Sequence, residues 1–174
     1  PHERAKALRR KSLGEQRFQI PRIAAYRRRL GVLPLRESGR DALAEGDTFT
    51  LYLDPHRDGR TGVVLQVSAA GVQRDAAIYD DNFEDDTWDA VWESAVGTDG
   101  EGWSVEMRVP FSQLRFPPAP GHTWGVNARR VVHRKNESSW LELVPKNESG
   151  LASRMAPLEG IEGIRPGRHV ELLP

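Results

Sequence analysis

The sequence predicts an all-β fold, an antiparallel β-sandwich of the jelly-roll or immunoglobulin-like kind. Three observations predict it. Segments of seven or eight residues alternate apolar and polar side chains, with Trp103, Val105, Met107 and Val109 on one side and Ser104, Glu106 and Arg108 on the other as the clearest case. Turn-forming clusters separate these segments at nearly regular spacing. Sixteen glycines and twelve prolines supply the many turns that short strands need.

In chain order, residues 47–54 (DTFTLYLD) place Phe49, Leu51 and Leu53 inward and Thr48, Thr50 and Tyr52 outward. The turn PHRDGRTG leads to a second strand over 62–68, and a tight connection at 69–71 leads to a third over 72–79. An acidic loop follows, then a strand over 90–96, a turn at 97–102 and the Trp103 strand. Pro110 ends that strand because it has no N–H to give a ladder, and residues 111–114 suit one short helical turn. After a Pro-rich stretch, residues 123–133 carry Trp124, Val126, Ala128 and Val132 on one face, and 139–144 form a shorter strand.

The first 45 residues differ in texture. Residues 1–40 hold twelve Lys/Arg and three Asp/Glu, a local charge of +9 that the remainder balances to zero. Helix formers over 1–17 and 23–30 predict a helical or disordered basic arm, interrupted by Pro21 and Pro34. A domain boundary is therefore expected near residue 45, with the sandwich over 46–174. Arg27–Arg29 is a short cluster without an aromatic platform, so no nucleic-acid contact is expected. The missing opening strands would leave one sheet with an uncovered edge.

Composition excludes several chemistries. The chain has no cysteine, which rules out thiol nucleophiles, disulfide scaffolds and Cys-ligated zinc. The five histidines are scattered without an H-E-x-x-H helix, and no G-x-S-x-G elbow occurs. Glu93 and Glu106 form a candidate glycosidase pair, but each is better suited to pairing with an arginine on a neighbouring strand. The reading is of a binding domain and not an enzyme. No apolar run is long enough to span a bilayer as a helix.

Two constellations carry the binding argument. Asp80, Asp81, Glu84, Asp85, Asp86 and Asp89 crowd one loop, and Asp54 and Asp58 form a second oxygen-rich corner. A bound calcium ion, with its six to eight oxygen ligands, would relieve the repulsion, so Asp54, Asp58, Asp80, Asp81, Asp85 and Asp86 are the expected ligands. Of the five tryptophans, Trp103 and Trp124 fall in phase with apolar neighbours and belong to the core. Trp88 at the loop edge and Trp140 beside Ser138 and Ser139 are the candidate platforms for a pyranose ring, with Asn127 and Arg129 as hydrogen-bonding companions.

From about residue 46 the series LYLDPHRDGRTG, AAGVQRDAAIYDD, WDAVWE, GWSVEMRVPFSQLRF, WGVNARR and RKNESSW, in that order, resembles one family. It is similar to the family 9 carbohydrate-binding-module-like domain of bacterial outer-membrane-associated proteins of unknown function. The resemblance implies a calcium-stabilised sandwich that binds sugar ends between aromatic side chains, in the bacterial cell envelope. It also implies a following membrane β-barrel region as a partner, beginning near the ending LEGIEGIRPGRHVELLP. Three functions are thus expected in order: a carbohydrate-binding module, a structural module docking on that barrel without sugar, and a haem-binding sandwich using Met107 and a histidine.

Overall fold

The computed structural model describes residues 17–19, 23–24, 46–99, 102–145 and 147–167. Strands dominate them: β1 (Arg17–Gln19), β2 (Ile23–Ala24), β3 (Thr48–Asp54), β4 (Gly62–Ser68), β5 (Gln73–Tyr79), β6 (Phe83–Asp85), β7 (Glu93–Thr98), β8 (Trp103–Pro110), β9 (Gly121–Val132), β10 (Glu137–Trp140) and β11 (Ala156–Glu162). They form two antiparallel sheets, which is the sandwich that the alternation predicts.

The larger sheet runs β10-β9-β3-β4-β5-β6, with β11 also on β9. The twelve-residue β9 organises it. Along one edge β9 pairs with β3, from Thr48↔Val131 to Asp54↔Gly125. Its other edge is shared: β10 pairs with the Arg129–Val132 half and β11 with the Gly121–Val126 half. In the smaller sheet β8 has β7 on one side and β1 and β2 on the other.

Strands β1 and β2 correct the helical expectation where it falls on described residues, at 17 and 23–24. Ile23–Ala24 is a strand and not the start of a helix, and the smaller sheet gains neighbours on both sides of β8. A helix-prone composition yields here to the unpaired N–H and C=O groups that an uncovered β8 would present. The remainder of the predicted arm lies outside the described residues.

The main core fills the space between the sheets. Leu51, Leu53, Leu65, Val67 and Trp124 from the larger sheet meet Trp103, Val105, Met107 and Val109 from β8. The alternation of β8 thus reads out directly, its four apolar residues buried while Glu106 and Arg108 are exposed. Phe111 opens a 3₁₀ turn (Phe111–Gln113) after Pro110, and its ring packs edge-on against Phe116 and Trp124.

A second apolar cluster lies on the outer face of the larger sheet. Tyr52, Val64, Ala76 and Ile78 are covered there by Ala152 and Met155, with Trp140 and Leu151 at the margin. Thr48, Thr50 and Tyr52 lie on this outer face as the alternation predicts, yet all three are buried, Tyr52 beneath this layer. A 3₁₀ turn (Ala152–Arg154) and the chain leading to β11 supply the cover. Gly125 permits it, because a Cβ there would come within 3.0 Å of the Cβ atoms of both Asp54 and Met155.

Two strand limits also differ for identifiable reasons. The strand expected over 90–96 begins at Glu93, because side chains take the preceding amides: Ala90 N–H goes to Asp75 and Val91 N–H to Gln113. The strand expected over 139–144 runs from Glu137 and stops at Trp140. Beyond it, Asn127 captures both backbone groups of Glu142 and replaces the ladder.

Candidate functional site

The outer face of the larger sheet places five residues from five strands in one transverse row. The registers Trp140↔Arg129, Arg129↔Thr50, Thr50↔Gln66 and Gln66↔Arg74 run in sequence from β10 to β5. Paired residues in adjacent strands project to the same face, so a tryptophan, two arginines, a threonine and a glutamine start from one line; Thr50 is buried within it, and Arg74 leans along β5 toward Glu84, which lies opposite Ile78. With strands about 4.8 Å apart, the two arginine positions are roughly 14 Å from each other.

Trp140 is half-buried and anchored from below. Its ring stacks on Tyr52, with centroids 5.6 Å apart and planes 18° from parallel, and the Arg129 guanidinium carbon lies 5.3 Å from its centroid. Tyr52 sits one residue pair along β3 and is itself buried; burial, then the charge of Glu84, pushes its phenol pKa up. Such stacking and cation–π contacts are each worth about 0.5–1.5 kcal/mol and hold the indole in one orientation. At the other end Arg74 pairs with Glu84 at 2.7 Å and with Asp86. Desolvation pulls the Arg74 pKa down, but these two carboxylates outweigh it and the net shift is upward.

The expected ligand-binding residues divide. Trp140 and Arg129 are neighbours in this row. Asn127 lies on the same face, opposite Tyr52, but is fully buried. Its Nδ2 donates to the Glu142 carbonyl at 3.0 Å, and its Oδ1 accepts from Glu142 N–H at 3.0 Å and Ala128 N–H at 2.8 Å. The amide shapes the backbone that carries Trp140. Trp88 stands apart from the row, half-buried against the core between the sheets. Thr50, Gln66 and Arg74 escaped sequence reasoning, because only strand register brings them beside Trp140.

The carboxylates expected to hold calcium are each engaged by donors. Asp54 is fully buried and accepts Gly59 N–H on Oδ2 at 2.9 Å, while its Oδ1 is buried without a partner. Asp58 accepts from Arg60 N–H and from the N–H and hydroxyl of Thr61. Asp80 pairs with Arg60 at 3.0 Å, and Asp86 with Arg74. Asp81 accepts from Leu151 and Ser153, and Asp85 from the N–H and hydroxyl of Thr87. Among the described residues no three His, Asp or Glu side chains converge as a cation site. The set does not fit a calcium cage of six to eight oxygens. Arginines face Asp80 and Asp86, and turn amides face Asp54, Asp58, Asp81 and Asp85.

Of the candidate glycosidase pair, Glu93 lies opposite Arg108 in the β7–β8 register and pairs with it at 3.2 Å, as the sequence suggests. Met107, required by the haem reading, is buried in the main core.

No protein-family model matches the chain, and no curated protein matches it. Solved structures do. A family 9 carbohydrate-binding module from Caldicellulosiruptor kristjanssonii in complex with cellotriose superposes with a TM-score of 0.51 at 14% identity, covering 81% of this chain and 70% of that one. The same kind of module from that organism in complex with glucose gives a TM-score of 0.50 at the same identity and coverage. The chain has a family 9 carbohydrate-binding-module-like fold. At this level of identity the likeness concerns the fold, and the site must be argued from the row itself.

Proposed function

We propose that the chain is a non-catalytic carbohydrate-binding module, carried by a protein of the bacterial cell envelope next to a membrane β-barrel region. The observation that carries this reading is the row Trp140–Arg129–Thr50–Gln66–Arg74. Sugar recognition needs an aromatic face for the apolar side of a pyranose and fixed polar groups for its hydroxyls. The row supplies both on a rigid sheet, with the indole held by Tyr52 and one guanidinium held by Glu84 and Asp86. The fold shared with modules solved in complex with cellotriose and glucose supports the same ligand class.

Calorimetric titration of the 174-residue chain with cello-oligosaccharides tests it. Saturable binding is expected, with Trp140→Ala weakening it at least about tenfold while circular dichroism is unchanged. A folded chain that binds no saccharide would favour the docking role instead. That second reading has its own observation: Tyr79 and Phe83 stack with each other at 5.5 Å and remain 51% and 57% exposed at the β5–β6 edge.

A further inference from the structure

The row is electrically lopsided. At the β5 end Arg74 meets two carboxylates, Glu84 and Asp86, and its charge is more than balanced. At the β9 end Arg129 has no carboxylate partner among the described residues. The Trp140 indole covers one face of its guanidinium, its Nε is buried out of a ligand's reach so that the terminal nitrogens are the available donors, and the neighbouring Tyr52 phenol stays neutral at ordinary pH. An indole does not discharge a guanidinium. A planar carboxylate does, by accepting two parallel N–H donors.

We infer that Arg129 receives the carboxylate of an acidic sugar, so that the site takes a uronic-acid-bearing saccharide in preference to a neutral one; this rests on the carbohydrate-binding reading above. The pyranose ring bearing the carboxylate stacks on Trp140, and its hydroxyls point along the row toward Gln66. The surplus negative charge at Glu84 and Asp86 repels a carboxylate placed at that end. The asymmetry therefore selects the acidic group and also fixes the direction in which the ligand lies.

The test compares cellobiose with its glucuronosyl counterpart, cellobiouronic acid, by calorimetric titration of the full chain at pH 7 and low salt. The acid is expected to bind about tenfold more tightly, the strength of one charge-assisted hydrogen-bonded pair at a half-exposed site. Added salt should narrow the gap. The methyl ester of the acid, which keeps the shape and removes the charge, should lose the advantage. Arg129→Gln should bring the ratio of affinities to about one, and Arg129→Lys should retain part of it. Equal affinity for cellobiose and the acid overturns the inference and leaves the carbohydrate reading standing. A preference that survives in Arg129→Gln, or in the methyl ester, overturns it equally. A folded chain that binds neither ligand overturns both.

Discussion

Ser153 donates both its backbone N–H and its hydroxyl to the carboxylate of Asp81, at 2.9 and 2.8 Å, across 72 positions of sequence. Leu151 N–H adds a third bond at 2.9 Å. Asp81 is one of two consecutive residues with positive φ at the tip of the β5–β6 hairpin. The tip is therefore stitched to the 3₁₀ turn that covers Tyr52 and Val64 on the outer face. Asp81→Ala should cost about 1–3 kcal/mol, discounted toward the lower end because the site is partly wet. Denaturant midpoints measure it, and a change below about 0.5 kcal/mol would show that the stitch is incidental.

The same carboxylate predicts how stability responds to acid. Asp58, Asp81 and Asp85 have pKa values lowered from the usual 3.8. Burial works the other way at Asp58 and Asp81, but the bonds from Thr61 and from Ser153 outweigh it; at Asp85 the Thr87 hydroxyl leads. A group whose folded pKa lies below its unfolded value stabilises the fold above the unfolded value. That contribution is lost as pH falls through the folded one. Urea midpoints should be level from pH 7 to about 5 and fall below about pH 4, less steeply in Asp81→Ala. A flat profile down to pH 3 would contradict the hydrogen bonding described.

Asp75 is the carboxylate that sequence reasoning overlooked. It is 8% exposed, and one oxygen accepts both Ala90 N–H at 2.7 Å and the Trp92 indole N–H at 3.2 Å. It ties β5 to the segment that crosses toward the smaller sheet and seats Trp92 in the core. Asp75→Ala should destabilise by about 2–4 kcal/mol, since the buried indole N–H loses its acceptor. Asp75→Asn should cost less. Near-ultraviolet dichroism of the tryptophans, together with thermal melts, distinguishes this from a surface effect.

Much of the fold was legible because alternation reports a strand with two unlike faces. β4 (Gly62–Ser68) and the β8 pattern emerge as the sequence predicts. Alternation is silent where both faces are covered, which is why Tyr52 reads as exposed and is buried. It is silent again where composition opposes the element. β6 consists of Phe83, Glu84 and Asp85, and β11 contains Pro157 and Gly160 with a register shift between Leu158 and Ile161. The hairpin turn and the free edge of β9 create those strands. The site was half legible: Trp140 and Arg129 carry recognisable chemistry, but Arg74 joins them only through three successive strand registers.

The acidic loop yields the sharpest contrast between composition and structure. Clustered aspartates invite a calcium ion, yet here Arg60 faces Asp80, Arg74 faces Glu84 and Asp86, and turn amides or hydroxyls face Asp58, Asp81 and Asp85. Charge compensated by the chain itself leaves a cation little to gain, and displacing those donors would undo the turns they hold. A structural calcium at a hundredfold excess over its dissociation constant stabilises by about 2.7 kcal/mol. In a domain of this size its removal would lower the Tm by roughly 5–10 °C. The expected result is instead a Tm that agrees within about 1 °C between excess EDTA and millimolar calcium, well below that shift. A calcium-dependent shift of several degrees would mean that the arginines and turn amides are not what holds the loop.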